Sequence, residues 1–271
     1  MRVALIQHRA SKDRLANLER GLSAARRAAD DGARLICFSE LAFDRFYPAV
    51  PASGDVTGLA EPIPGPTTEA FSELAASKSV VIVLNVFERD GDRTFDTSPV
   101  IDANGTLLGR TRMVHITDYP CFHEQGYYAP GDRGAPVYDT AVGKVGVAIC
   151  YDRHYPEYMR ALAVAGAEIV IVPQAGATGE WPDGLYEAEM TVAAFHNGYF
   201  VALCNRVGEE DALTFAGESF VCDPSGRVVA RAGEGTEETL LCDVDLSDVE
   251  RSHARRLFMR DRRPELYGDW L

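Results

Sequence analysis

Two residues in this chain follow apolar runs in a way that would suit covalent chemistry. Leu35-Ile-Cys-Phe38 leads straight into Ser39-Glu40-Leu41, and Val145-Gly-Val-Ala-Ile149 leads straight into Cys150-Tyr-Asp-Arg-His-Tyr-Pro156. A thiolate attacks carbonyl carbon well, but a thiol needs a base to take its proton. A carboxylate partly withdrawn from water can be that base. Where a strand turns into a helix, the first backbone N–H groups carry positive potential, which is expected to lower the pKa of a thiol there. Taken singly, each residue is ordinary. A cysteine after a strand is most often a small buried hydrophobe, and a glutamate there is usually a cap or a surface group.

The elements around them must bring both to one place. Strand-like apolar runs cover residues 3–6, 34–38, 80–86, 144–150, 168–173 and 199–205. Helical periodicity covers residues 67–78, 156–166 and 185–198, and also the stretch after Ser11, where Leu15, Leu18, Leu22, Ala25 and Ala29 line one face. Asn104-Gly105 marks a hairpin between residues 98–102 and 106–109. A late meander occupies 217–222, 227–231 and 239–244, and a last helix is expected over 246–256. This alternation predicts an α/β fold with sheets covered by helices, and about a dozen strands suggest two sheets. No linker or repeat divides the chain, so residues 1–271 are expected to form one domain. Ligands in such folds sit beyond the carboxyl ends of strands, where Glu40 and Cys150 both fall.

With their flanks the two become specific. Phe38-Ser-Glu40-Leu, Cys150-Tyr-Asp152-x-x-Tyr-Pro156-Glu157, Asn205-Arg206-Val-Gly208 and Asp261-Arg-Arg263-Pro264-Glu-Leu-Tyr267 resemble, in order and spacing, the nitrilase (carbon–nitrogen hydrolase) superfamily, in particular its amidase and N-carbamoyl-amine amidohydrolase branches. The resemblance runs from Val3 to Tyr267. It implies a four-layer α-β-β-α sandwich of two mixed sheets covered by helices, no metal or organic cofactor, and a Glu–Lys–Cys triad. Glu40 matches the general base and Cys150 the nucleophile. Glu124, in Tyr119-Pro-Cys-Phe-His123-Glu124-Gln-Gly, matches a second glutamate that orients substrate. The resemblance also implies a homodimer or larger assembly, with a C-terminal tail (about 257–271) in a subunit contact.

The triad lysine has no match. The family stretch Gly-x-Tyr-Arg-Lys-x-His reads Gly109-Arg-Thr-Arg112-Met113-Val114-His115, so Met113 holds the lysine position, and Lys12, Lys78 and Lys144 lie elsewhere. An oxyanion forming at an attacked carbonyl needs aimed donors. The N–H of Tyr151 is one candidate, but methionine supplies none. Three readings of Met113 stay open: an introduced substitution, a natural chain in which His115 (or, less well placed, Arg112) donates instead, or a relative that binds without hydrolysing. His115 would share the face of Met113 in an extended segment, whereas Arg112 would point oppositely.

The leading expectation is hydrolysis of a small linear amide or N-carbamoyl amine through a Cys150 thioester. Arg153 and the Gln174-Ala-Gly-Ala177 segment would line the pocket. The alternatives are a non-catalytic relative binding a small carbonyl compound, and acyl transfer to an amine. Composition narrows the partners. A net charge of −14 argues against nucleic acid, and no apolar run is long enough for a membrane span. Six scattered cysteines without a C-x-x-C pair read as free thiols of a cytoplasmic protein. His115, His123, His154 and His196 lack ligand spacing, so no metal is expected.

Overall fold

A computed structural model describes residues 1–268; the last three, part of the tail expected to reach a neighbour, lie outside the described residues. Two sheets carry the architecture. The seven-stranded sheet runs Glu238–Asp243, Arg2–Gln7, Leu35–Phe38, Val81–Val83, Arg93–Ile101, Val86–Asp90, and Leu107–Arg112 also pairs with Arg93–Ile101. The six-stranded sheet runs Val228–Arg231, Phe220–Cys222, Phe200–Asn205, Ile169–Gln174, Gly143–Val147, Val137–Thr140. Each has a parallel centre, which needs cover on both faces and so explains the continuous apolar runs in the sequence.

The pleat sorts those runs into layers. Val3, Leu5, Leu35, Cys37, Val81 and Val83 meet Val145, Val147, Ile169, Ile171, Ala202 and Cys204 between the sheets. The alternate residues Ala4, Ile6, Ile36, Phe38 and Ile82 face helices α1 (Arg14–Asp30) and α2 (Pro66–Lys78). Val170, Val172, Val201 and Leu203 face α3 (Pro156–Val164) and α4 (Leu185–Asn197). The result is the expected α-β-β-α sandwich. Among the described residues, no helix is long and apolar enough to cross a membrane.

Three local expectations are corrected. The buried stripe of α1 is Asn17, Gly21, Ala24, Ala25 and Ala28, while Leu15 is 70% exposed. The helix lies too close to the sheet for large side chains: a Cβ on Gly21 would come within 2.5 Å of Phe43. Its cap is Asp13, which accepts from Ala16 N. The single strand expected over 80–86 is two strands, broken at Leu84 and Asn85. The last helix is also shorter, with α5 (Ser247–Arg251) followed by a π-helical turn over Ala254–Phe258.

Candidate active site

Glu40 and Cys150 follow parallel strands, Leu35–Phe38 in one sheet and Gly143–Val147 in the other, and both turns are strained. Leu41, beside Glu40, has φ +43°, and Cys150 itself has φ +42°, a region that residues other than glycine rarely adopt. Bonds to the backbone hold the first turn. Arg206 Nη1 donates to the carbonyls of Glu40 (2.9 Å) and Leu41 (2.5 Å), its Nη2 donates to that of Asp44, and Leu41 N donates to Asn85 Oδ1. The second turn is a 3-10 helix, Cys150–His154, whose first carbonyl accepts from Arg153 Nη1 at 3.1 Å. Asp152 ties this turn to the segment carrying Met113, accepting from Val114 N, His115 N and His115 Nδ1.

The spatial expectation is met. One carboxylate oxygen of Glu40, one of Glu124 and the sulfur of Cys150 all lie within 4.8 Å of one another, and all three residues are buried. Gln174 Nε2 donates to Cys150 Sγ at 3.2 Å. Glu124 is oriented by the N–H of Thr117, which donates to its Oε2. Asn205 braces the strand end that bears Gln174: its Oδ1 accepts from Gly176 N at 2.7 Å and its Nδ2 donates to Gly176 O.

Two further acids belong to the site. Asp96 is buried within hydrogen-bonding reach of Glu40 and accepts from Asn85 Nδ2 at 2.5 Å. Glu180 accepts from the hydroxyls of Tyr119 and Tyr186, each at 2.5 Å, and its charge reaches the thiol. Asp96 sits among buried residues of Arg93–Ile101, but its sequence neighbours Thr94, Thr97 and Ser98 are polar and give no sign of that burial. Glu180 sits in the loop Thr178-Gly-Glu180-Trp-Pro and gives no sign either.

Acidic crowding and burial keep protons in this site. Burial, then Asp96 and Glu124, push the Glu40 carboxyl well above the usual range. Burial raises Glu124 to about 8, and raises Asp96 to about 7 against the opposing hydrogen bond from Asn85. The thiol of Cys150 is also raised, first by burial and then by Glu40 and Glu124, with Arg153 opposing. The expected lowering by a helix N-terminus does not prevail. α3 begins only at Pro156, after the 3-10 turn, and burial outweighs its potential. Burial and the neighbouring acids thus favour the thiol of Cys150 over the thiolate.

The other expected residues divide. Met113 is buried in the inter-sheet core that also holds Cys150, and its N–H donates to Asp96 O at 2.9 Å. Arg153 lies beside the site, bonded to Cys150 O, 3.3 Å from Glu189 and stacked on Tyr186. Tyr151 follows the nucleophile, with its ring packed against His154 and Tyr155. His115, one of the substitutes considered for the lysine, is turned toward Asp152. Its Nδ1 bonds Asp152 at 2.7 Å and its ring stacks on Tyr155 at 3.4 Å, so it braces the loop. Arg112 is held by Glu88, Asp90 and Asp132 on the opposite face of its strand.

A four-layer sandwich with a buried cysteine and carboxyl converging after one strand of each sheet suits hydrolysis of a carbonyl compound. The comparisons agree with it. The family described as carbon-nitrogen hydrolase matches residues 2–254. The N-carbamoylputrescine amidase of Solanum lycopersicum is 34% identical over 279 residues, covering 98% of this chain and 93% of that protein. A carbon-nitrogen hydrolase structure from Helicobacter pylori G27 superposes with TM-score 0.89 at 29% identity, covering 100% of this chain and 98% of that one. An amidase from Nesterenkonia sp. AN1 (TM-score 0.82, 26% identity, covering 100% of both chains) has been solved as a variant with acrylamide added covalently to its active-site cysteine. The chain belongs to the carbon-nitrogen hydrolase family, and by class it is an amidohydrolase.

Proposed function

We propose that this protein hydrolyses a small linear, non-peptide carbon–nitrogen bond, an amide or N-carbamoyl amine, through an acyl thioester on Cys150. The observation that carries this reading is the convergence of Cys150 Sγ with the Glu40 and Glu124 carboxylates inside 4.8 Å, all three residues being buried. The ionised form of Glu40, which burial disfavours before substrate binds, takes the thiol proton as sulfur adds to the carbonyl carbon. It passes the proton to the leaving nitrogen, then accepts one from the water that cleaves the thioester. Glu124, anchored by Thr117, orients the substrate nitrogen. Gln174 Nε2, already directed at the sulfur, is one donor for the developing charge. Ammonia release from a panel of linear amides and N-carbamoyl amines tests this, with Cys150→Ala as control. Mass spectrometry of quenched reactions should show an acyl group on the Cys150 peptide. Equal turnover by Cys150→Ala, or no turnover of any panel member, sinks the reading.

A further inference from the structure

We propose that the reacting group this site is built to hold is cationic and planar, an amidinium or guanidinium carbon, in preference to a neutral amide of the same shape. The inference rests on Cys150 being the nucleophile, and it concerns what that nucleophile attacks.

The first support is the hydrogen-bond inventory. Near the sulfur, four buried oxygens lack a hydrogen bond of good geometry: both of Glu40, whose nearest polar groups are Asp96 and the thiol, Oδ2 of Asp96 and Oε1 of Gln174. Buried acceptors left unpaired are costly, so a ligand that satisfies them gains that energy back. The fixed donors are few. Gln174 Nε2 is committed to the sulfur, and the Tyr128 hydroxyl is the remaining unpartnered side-chain group beside Asp96, Glu40 and Glu124. A primary amide brings two N–H donors but also a carbonyl oxygen that itself needs donors. An amidinium of the same shape brings four N–H donors and no acceptor, so it fits the unpaired set better.

The second support is charge. Glu40, Glu124 and Glu180 all act on the thiol, and Asp96 adds a further carboxyl against Glu40. The cation beside them is Arg153: its Nη1 donates to Cys150 O, its Nε lies 3.3 Å from Glu189 and it faces the ring of Tyr186, while its buried Nη2 has no hydrogen-bond partner. The three lysines pair with Asp211, Asp30 and Asp139, elsewhere in the fold. A bound cation stabilises ionised carboxylates and the thiolate together. It would thus free the protons that burial holds there and arm the base at the moment of binding. The third support is a set of rings beside the nucleophile. Tyr119 packs on Phe122 (4.6 Å) and Trp181 (5.9 Å), and Trp181 packs on His154 (5.3 Å). Aromatic faces attract cations, most strongly where water is scarce.

The chemistry balances without a further reagent. Glu40 takes the thiol proton as sulfur bonds to the amidinium carbon, and the C=N electron pair moves to nitrogen. The adduct is a neutral diamine, so no oxyanion forms in this step. Protonated Glu40 returns its proton to one nitrogen, which leaves as ammonia and yields a protonated thioimidate. Water adds to that carbon while Glu40 takes its proton, and the C–S bond then breaks with the proton returned to sulfur. In sum, amidinium and water give amide and ammonium.

Acetamide and acetamidinium have the same heavy-atom shape and isolate the charge. Two readouts are needed: protection of Cys150 from iodoacetamide, followed by peptide mass spectrometry, and ammonia release. Acetamidinium should half-protect at a concentration at least about tenfold below acetamide and release ammonia in the native chain but not in Cys150→Ala. Asp96→Asn, which keeps the bond from Asn85, should bring the protection ratio towards one; near-UV circular dichroism checks that it folds. Equal or better protection by acetamide overturns the proposal, as does protection by acetamidinium without ammonia release. If acetamide is hydrolysed at Cys150 in either case, only the charge preference falls and the hydrolase reading stands. If Cys150→Ala turns over both compounds like the native chain, the nucleophile assignment falls as well.

Discussion

Arg112 and Met113 are adjacent on one strand end, yet they face two opposite ways of burying acids. On the Arg112 side, Glu88 is fully buried and matched. Arg112 donates to both its oxygens, at 2.6 and 2.9 Å, Thr97 Oγ1 donates at 2.6 Å, and Arg110 lies at 3.1 Å. Asp90 and Asp132 complete the network, and Phe95 lies 3.7 Å under the guanidinium. On the other side, Glu40 and Asp96 are equally buried but lack a cation, and three of their four oxygens lack a hydrogen bond of good geometry. The matched cluster is structural. The unmatched one holds a poise that only a substrate or a proton relieves, as functional sites commonly do. Strand geometry permits this contrast within one peptide unit, because successive side chains point to opposite faces.

The largest expected effect breaks the unmatched cluster at its nucleophile. Cys150→Ala should lower turnover at least about 10³-fold, since residual rate would come only from binding and orientation. Stability should change little, because sulfur is exchanged for hydrogen in a pocket that a ligand must enter. Ammonia release together with a urea melt measures both. The matched cluster should behave in reverse. Arg112→Met leaves Glu88 buried without its main partner and should cost about 3–5 kcal/mol of stability, read as a lowered denaturation midpoint. A midpoint equal to the native one would mean that Arg110 alone suffices for Glu88.

Met113→Lys sharpens the comparison by giving the second cluster what the first has. A lysine there would supply a donor and a charge facing Glu40 and Glu124. Turnover of neutral amides should rise about 10²–10³-fold, the usual weight of one oxyanion donor, while acetamidinium should lose its advantage. An unchanged rate for acetamide would show that position 113 does not reach the reacting oxygen.

Much of this contrast was legible in sequence, for identifiable reasons. Glu40 and Cys150 were visible because they follow apolar runs, and parallel strands deliver their carboxyl ends to one edge. The layers followed from runs such as Leu35-Ile-Cys-Phe38, whose pleat sends alternate residues to opposite cores. Asp96 was missed because its role depends on a partner 56 positions away in Glu40 and on the break at Asn85 that aims both. The contact of His115 with Asp152 was not legible because the strand ends at Arg112 and the ring belongs to the loop that follows. The exposure of Leu15 followed from Gly21, whose close approach to Phe43 no periodicity reveals.

The smallest effect is a pH dependence that should belong to one cluster alone. In an unfolded chain, aspartate and glutamate ionise near pH 4 and are fully charged by pH 6.5. In the fold, Asp96 holds its proton to about 7 and Glu124 to about 8, mainly through burial. The native state therefore binds more protons than the unfolded state, and stability must fall as pH rises through those values. Between pH 6.5 and 8 the two together should remove about 2–2.5 kcal/mol. His8, pushed down to about 4 by burial, works with the opposite sign, but mostly below pH 6.5. Asp96→Asn should flatten the decline and melt higher than the native chain at pH 8, because the amide keeps the bond from Asn85 without the charge. Arg112→Met should shift the whole curve down and leave its slope between pH 6.5 and 8 unchanged. A native stability that is flat across this interval, or an Asp96→Asn curve parallel to it, would mean that the acids of the second cluster are compensated in the fold after all.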